Sequence, residues 1–303
     1  MKIKSKLILS FILVILGVSA LSFNTLLVSK KALLNTVKNN SKYFAESLLK
    51  RLNSGIEAEI DAVELMASDP NLIHTIMQSN NLFAKLKNRE EIIDQREKQW
   101  RAVAKNEKSA FMNSLIDHEL SQSIKQRYIN SSIKKYSYKV ITEIFVTNVY
   151  GANVIQTSKT TDYRQNDEEW WQQARKNNFY VSPIVYDESS ETYAIEVAKK
   201  ITDDQGEFTG VIKAVVSVLE FIRKIEVSTE KYSRRDISLV SPDDRLIYHS
   251  RSHDFLEDIS SRDYIKAFNQ GEYFFISDGK VHIKAQLPKN GHPSINWSLI
   301  TTY

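Results

Sequence analysis

An uncharged stretch from Leu7 to Ser29, rich in Leu, Ile, Val, Phe and Ala, restricts the fold of this chain more than any other feature. About twenty such residues form a helix long enough to cross the hydrocarbon core of a bilayer. Three lysines among residues 1–6 precede it, and basic residues mark the cytoplasmic side of a membrane helix. The sequence therefore predicts a cytoplasmic N-terminus at residues 1–6, a transmembrane helix at residues 7–28, and a chain that lies outside the inner membrane from about residue 29.

A cleaved signal peptide is the alternative for the same stretch. Val18-Ser19-Ala20 places small residues where a signal peptidase cuts. Apolar residues continue through Leu26, Leu27 and Val28, beyond that position, and favour an uncleaved anchor.

Apolar residues next recur at spacings of three, four or seven, which predicts one apolar stripe on a long helix. The stripe comprises Leu34, Val37, Phe44, Leu48, Leu52, Ile56, Ile60, Val63 and Ala67. Ser68-Asp69-Pro70 interrupts it, and Pro70 is predicted in the first turn of a new helix. Residues 83–138 are polar with helical spacing, so residues 29–140 are interpreted as a stalk with accessory helices. The stripe either packs on its own core or pairs with a second copy, and the second alternative predicts a homodimer.

Composition excludes several classes of function. The 303 residues include no cysteine, which rules out disulfides, thiol catalysis and cysteine-based metal sites. A net charge of +4, without basic runs interleaved with aromatic residues, argues against nucleic acid as a partner. With 42% hydrophobic residues, the chain can form ordinary cores for two small domains. The sequence predicts no cofactor.

Residues 141–228 are predicted to form a first sheet module. Ile144–Asn148 and Asn153–Thr157 read as a hairpin joined at Tyr150-Gly151-Ala152. Tyr193–Lys199 and Gly210–Val218 read as two further strands, and Pro183 favours an edge strand before them.

Alternation places Lys213 on the same strand face as Val211, Val215 and Ser217. This face is a candidate for the wall of a pocket. Lys213 there either pairs with an anionic group of a ligand or is a structural lysine.

A tryptophan-bearing helix is predicted between the two pairs of strands. Asp167 is the expected N-cap, and Glu168 and Glu169 in the first turn complement the helix dipole. Metal binding is the alternative for this acidic trio, but consecutive carboxylates on a helix point in different directions, and we predict no metal site. For the same reason Trp170 and Trp171, about 100° apart, are not expected to line a pocket equally.

Residues 229–303 repeat the plan on a smaller scale. Five alternating runs are predicted as strands, with a helix at Ser261–Asn269 between them. The strand runs are Asp236–Val240, Arg245–His249, Tyr273–Ile276, Val281–Leu287 and Trp297–Thr301. The predicted fold class is α+β: one transmembrane helix, a long helix, and two tandem modules of antiparallel sheet.

This arrangement resembles the double Cache sensor domains, PAS-like modules that lie outside the membrane in bacterial chemoreceptors, sensor histidine kinases and membrane-bound cyclases. The resemblance rests on these residues: Glu143–Asn148, Tyr150-Gly151, Asp162-Tyr163, Trp170-Trp171, Tyr186-Asp187, Gly206 and Gly210-Val211-Ile212. The resemblance implies a ligand pocket in the first module, distal from the membrane, with the second module nearer the bilayer. It also implies that the chain is the sensory part of a longer protein with a second membrane span, or is truncated.

The resemblance also implies which residues contact the ligand. We expect them to be Tyr163, Trp170, Trp171, Tyr186, Asp187, Tyr193 and Lys213. Amino-acid receptors of the family clamp the ligand with charged groups, but Glu168 stands where the carboxylate-binding Arg would be, and Val215 where the amine-binding Asp is expected. Trp171 replaces a Tyr of the same pattern. The sequence therefore argues against an α-amino acid and for another small molecule.

Three hypotheses of different class remain. The first is a receptor in the bacterial inner membrane whose ligand, bound in the periplasm or outside the cell, moves the stalk helix. The second is a secreted or membrane-anchored binding protein that presents a ligand to a partner. The third, an enzyme, is not favoured, because the sequence has no nucleophile-elbow, phosphate-loop or dinucleotide motif. His249 and His253 are the one pair of histidines spaced like metal ligands, but they fall in a predicted strand and loop, where the helical i,i+4 geometry does not apply.

Overall fold

The computed structural model of the chain describes residues 3–103, 107, 109–219, 222–223, 225, 235–252, 255–287 and 295–303. The predicted boundary between the sheet modules, at residues 228 and 229, lies outside these residues, and so does His253. Contacts divide the chain into two compact units. The first unit comprises Met1–Leu49, Tyr232–Leu287 and Ser298–Tyr303, and the second comprises Lys50–Lys231 and Pro288–Trp297.

The N-terminal helix α1 (Ile3–Ala67) is 65 residues long. Its first part is apolar, exposed, and long enough to cross a membrane. Further along, the predicted stripe is buried at Leu48, Leu52, Ile56, Ile60 and Val63. The break is also as predicted: helix α2 (Pro70–Ala84) begins at Pro70, where the Asp69 side chain accepts a hydrogen bond of 2.8 Å from the backbone N–H of Asn71.

The helical pattern predicted for residues 83–138 is confirmed as a series of short helices. They are α3 (Arg89–Ala102), α4 (Ala110–Ile116), α5 (Glu119–Ile124), a π-helical turn (Lys125–Asn130) and α6 (Ser131–Tyr136). Helix α3 contacts the wall of the site described below. Its Trp100 is fully buried and donates a hydrogen bond to the carbonyl of Thr160.

The first sheet belongs to the second unit and is antiparallel throughout. Its strands are β1 (Ile141–Asn148), β2 (Asn153–Gln156), β3 (Phe179–Val181), β4 (Val185–Asp187), β5 (Thr192–Thr202) and β6 (Phe208–Ser217). Their order is β2-β1-β6-β5-β3, and β4 also pairs with β5. Pro183 lies between the two short strands at this edge, as predicted.

Helix α7 (Glu169–Asn177) packs on one face of the first sheet through Trp170, Trp171 and Ala174. The prediction that Asp167 caps this helix is wrong. The N-cap is Glu168, and its side chain makes no capping hydrogen bond, because the helix begins one residue later than the acidic run suggested.

The second sheet belongs to the first unit. Its elements are β7 (Asp236–Val240), β8 (Leu246–His249), α8 (Asp263–Asn269), β9 (Phe274–Ser277), β10 (Lys280–Gln286) and β11 (Ser298–Thr302). The strand order is β8-β7-β11-β10-β9, and a compact apolar core includes Ile265 and Phe268 of α8. The predicted α+β class, with two antiparallel sheets after a long helix, is confirmed.

Candidate functional site

A cavity of about 370 Å³ lies on the α7 side of the first sheet. Its floor comes from β1, β5 and β6, one wall from the segment of residues 160–168 that leads into α7, and another from β4 and the turn after it. Six of the side chains that line it are carboxylates, Glu143, Asp162, Glu168, Asp187, Glu188 and Glu196, whereas two are basic, Arg101 and Lys213.

Strand register explains how charged side chains reach this floor. Opposite residues of antiparallel strands point to the same face, and Val215 of β6 lies opposite Glu143 on β1 and Glu196 on β5. In the neighbouring row, Lys213 lies opposite Phe145. Val215 stands where amino-acid receptors of the resembling family have an Asp. In this chain a carboxylate lies opposite that position on each of the two adjacent strands.

Lys213 is 6% exposed and pairs with Glu196, whose oxygen is 2.5 Å from its Nζ. The same ammonium lies 4.8 Å from the ring centre of Trp170 and 5.5 Å from that of Phe145. The carboxylate and the aromatic faces together hold this buried charge. Lys213 therefore both makes a structural ion pair and lines the cavity, so neither of its two predicted roles is decided by its position.

Glu143 is the most buried acid of the site, with 1% of its surface exposed. Its two carboxylate oxygens accept hydrogen bonds from Ser158 Oγ at 2.7 Å and Ser189 Oγ at 2.6 Å. Burial raises the pKa of Glu143 from 4.5 to about 7; the two serine hydroxyls oppose this rise, Asp187 adds to it, and Lys213 opposes it. This carboxyl therefore titrates near neutral pH.

The turn after β4 connects Glu143 to the rim of the cavity. Asp187 accepts a hydrogen bond of 2.7 Å from the backbone N–H of Ser190 and lies 2.8 Å from Ser189 Oγ, whose single proton it shares with Glu143. Ser189 thus bridges Asp187 and Glu143, so a movement of this turn changes the surroundings of the buried carboxyl.

Helix α3 fixes the opposite wall. Glu97 accepts hydrogen bonds from the backbone N–H groups of Tyr163 at 2.8 Å and Arg164 at 2.9 Å, and Trp100 donates from its indole to the carbonyl of Thr160 at 2.8 Å. Arg101 pairs with Asp162 at 2.7 Å. Burial raises the pKa of Asp162, and Arg101 opposes that rise.

The β1–β2 turn holds the same wall from the other side. Gly151 has φ +77°, and a Cβ there would lie 2.4 Å from the Cβ of Asn166. Gln165 donates its backbone N–H to the Gly151 carbonyl at 2.8 Å. Only glycine allows this close approach together with a left-handed conformation.

Of the seven residues predicted to contact ligand, the structure brings Trp170, Tyr186, Asp187 and Lys213 together around the cavity. The other three have different surroundings and do not line it. As expected from the 100° between them, the two tryptophans differ: Trp171 donates its indole N–H to Thr147 Oγ1 at 2.8 Å within the core under α7.

Tyr163 is 1% exposed and packs between α3 and α4, with its ring 5.2 Å from that of Phe111 and its hydroxyl accepting from Arg96 at 3.2 Å. It is unavailable to a ligand in this cavity because α3 covers it. Tyr193 packs its ring 5.2 Å from that of Tyr186 at the exposed edge of β5.

The sequence reasoning missed most of the acidic lining. Glu143, Glu168 and Glu196 line the cavity without having been predicted as contacts, and so do Asp162 and Arg101. One signal was available for two of them: Glu143 and Glu196 are charged residues inside β-prone, otherwise apolar runs, where a charge needs a specific reason.

No family model and no curated protein matches the sequence. Solved structures do match it in fold. The ligand-binding domain of the Pseudomonas fluorescens chemoreceptor CtaA, in complex with L-isoleucine, has a TM-score of 0.55 at 14% identity and covers 90% of this chain and 94% of its own. The ligand-binding domain of the Campylobacter jejuni chemoreceptor Tlp3, in complex with L-norvaline, has a TM-score of 0.51 at 14% identity, with 88% and 92% covered. The fold predicted from the sequence is therefore confirmed: this chain has the fold of these chemoreceptor ligand-binding domains.

Proposed function

We propose that this chain is the extracytoplasmic sensory region of a bacterial membrane receptor, and that its ligand is a small molecule bound in the cavity of the first sheet. The cavity carries this proposal. Its volume of about 370 Å³ falls within the roughly 300–1,000 Å³ of small-molecule sites, and it combines aromatic walls with converging polar groups. The likeness of the fold to chemoreceptor ligand-binding domains supports the same function.

The proposal is one of binding without catalysis in the region described. An anchor at residues 7–28 in the inner membrane, with the chain from about residue 29 outside it, fits the exposed apolar start of α1. We also propose that two copies form a homodimer, and that ligand binding changes the equilibrium between two arrangements of α1.

The ligand we propose is not an α-amino acid, although the similar domains of CtaA and Tlp3 were solved with amino acids. A zwitterion needs a cation for its carboxylate. The two basic residues of the lining, Arg101 and Lys213, are both paired with carboxylates already. An incoming carboxylate would have to break one of these pairs.

A thermal-shift screen of the 303-residue chain in detergent tests the binding site. Amines, organic acids, amino acids and purines are compared. A ligand at 100 times its Kd stabilises a fold by about 2.7 kcal/mol. We expect one class to raise the melting temperature of the wild type and of Trp171→Ala, but not of Trp170→Ala. The two tryptophans are adjacent and equally buried, and only Trp170 lines the cavity.

Absence of a shift with every class, or loss of the shift in both variants alike, would contradict the proposed site. Hydrogen exchange then separates a receptor from an anchored binding protein. A receptor should show ligand-dependent protection of α1 between residues 30 and 60, whereas a binding protein that only presents its ligand should show changes around the cavity alone.

A further inference from the structure

Acidic groups of the cavity exceed what its own basic residues can balance. Lys213 pairs with Glu196, and Arg101 pairs with Asp162. Within the described part of the chain, no basic group lies at ion-pair distance from the other four carboxylates of the lining, Glu143, Glu168, Asp187 and Glu188. Burial, together with the charges of Asp162 and Asp167, raises the pKa of Glu168, and Lys213 opposes this rise.

Glu143 provides a second, independent observation. Its side chain is 1% exposed, lines the cavity, and has no basic group at ion-pair distance among the described residues. Ser158 and Ser189 each contact one carboxylate oxygen, and Ser189 shares its single proton with Asp187; no other donor from the described residues reaches this carboxylate. A buried carboxylate without a cation is unstable, so this position either keeps a proton or takes a positive group from outside.

The aromatic walls show which kind of positive group fits. An ammonium, that of Lys213, already lies 4.8 Å from the ring centre of Trp170 while paired with a carboxylate. Tyr186, which is exposed, adds a second aromatic ring at the rim. Aromatic faces beside carboxylates are the surroundings in which proteins bind organic ammonium groups.

We propose that the cavity binds a small organic cation, an amine or guanidine, and that Glu143 releases a proton when the cation binds. This inference rests on the proposed function, since it names the ligand class of the same site. A metal ion fits less well, because among the described residues no three His, Asp or Glu side chains come close enough together to hold one.

The proton release follows from the groups around Glu143. Asp187 favours its protonated form, and Lys213 favours its ionised form. The other charged groups of the lining are Asp162, Glu168, Glu188, Glu196 and Arg101. An added cation acts in the same direction as Lys213 and lowers the pKa of Glu143. Since an alkylammonium stays charged from pH 6 to 8, its affinity should fall about fivefold between pH 8 and pH 6 as Glu143 takes up its proton.

Isothermal titration of the 303-residue chain in detergent tests this inference. The probes are 1,4-diaminobutane, butylamine and guanidinoethane as cations, malate as an anion, and L-isoleucine as a zwitterion. At least one cation should bind, more tightly at pH 8 than at pH 6. Buffers of different ionisation enthalpy should reveal proton release at pH 7.

In Glu143→Gln we expect affinity to fall about tenfold at pH 8, in line with the loss of one charged contact, and the pH dependence to disappear. Glu168→Gln, at the half-exposed rim, should also weaken binding and keep the pH dependence, which covers the case in which the buried variant does not fold. Glu207→Gln, exposed on the β5–β6 turn, is the matched control and should change neither.

The outcomes separate this inference from the proposed function. If malate or isoleucine binds and no cation does, the cavity is a ligand site and the cation inference is wrong. If a cation binds without proton release, or Glu143→Gln keeps the pH dependence, the role of Glu143 is wrong. If no probe of any charge binds at either pH, both proposals are overturned.

Discussion

The two sheets share one plan, an antiparallel sheet with a short helix on one face, but they place different polar groups on that face. The first sheet carries Glu143, Glu196 and Lys213 there, around a cavity. On the corresponding face of the second sheet, His282 stacks on Tyr264 of α8 with ring centres 4.3 Å apart and hydrogen-bonds Ser277 and Thr302.

This difference separates the roles of the sheets. The imidazole fits among its neighbours and leaves α8 packed on an apolar core. The carboxylates of the first sheet line a cavity beside the start of α7, because charged groups need space, water or a ligand beside them. The same plan therefore gives a closed core in one sheet and an open site in the other.

The largest effect is expected where a charge pair is buried. Lys213→Met leaves the Glu196 carboxylate without its counter-charge, and breaking a buried pair in this way typically costs about 3–5 kcal/mol. The matched variant in the other unit is Arg262→Met, whose partner is Glu257 at 3.0 Å. Since that pair is exposed, we expect a loss below about 1 kcal/mol. Urea unfolding of both variants measures the two losses.

If both variants lose the same free energy of unfolding, the Lys213–Glu196 pair does not behave as a buried ion pair. The double variant Lys213→Met with Glu196→Gln provides the control. Removal of both charges should recover much of the stability lost in Lys213→Met, because the uncompensated carboxylate is then gone.

The next effect concerns the pH dependence of stability. The folded-state pKa of Glu143, about 7, is above its ordinary 4.5, so the folded state keeps a proton that the unfolded state loses. The stabilisation is complete below pH 4.5 and is lost as the pH rises through 7, a change on the order of 3 kcal/mol. Glu143→Gln should remove it. The difference in free energy of unfolding between variant and wild type, measured from pH 4 to 8 with Glu207→Gln as control, should rise with pH; a flat difference would contradict the assignment.

Much of the fold follows from local patterns. Apolar residues at helical spacing predict α1, and Asp69 before Pro70 predicts the start of α2, because a capping carboxylate and a residue without N–H are both favourable there. Strict alternation predicts the strands of the second sheet to within a residue or two.

The site depends on information that local patterns lack. Whether Glu143 and Glu196 flank Val215 is decided by the register of three strands, and a slip of one residue would turn each side chain to the other face. Tyr163 was predicted as a ligand contact but is covered by α3. Glu97 and Trp100 of α3 both lie more than sixty positions before Tyr163 in the chain. Helix geometry predicts that only one of two adjacent tryptophans lines the pocket, but not which one.

The smallest expected effect is the pH dependence of stability that comes from His282 in the second sheet. It provides the sharpest contrast between the sheets, because its sign is opposite to that of Glu143. Burial, with Lys280, lowers the pKa of His282 below its ordinary 6.5, and Asp278 partly opposes this. The unfolded state therefore binds a proton more readily, and the stabilisation from His282 is present above pH 6.5 and lost as the pH falls through the folded-state pKa. In His282→Gln this loss at low pH should vanish, while His74→Gln, at an exposed position of α2, should keep it. Unfolding measured from pH 5 to 8 checks the sign. If stability relative to His282→Gln falls with rising pH, as predicted for Glu143, then the two sheets respond to protons alike, and the contrast between a closed core and an open acidic site does not extend to their titration.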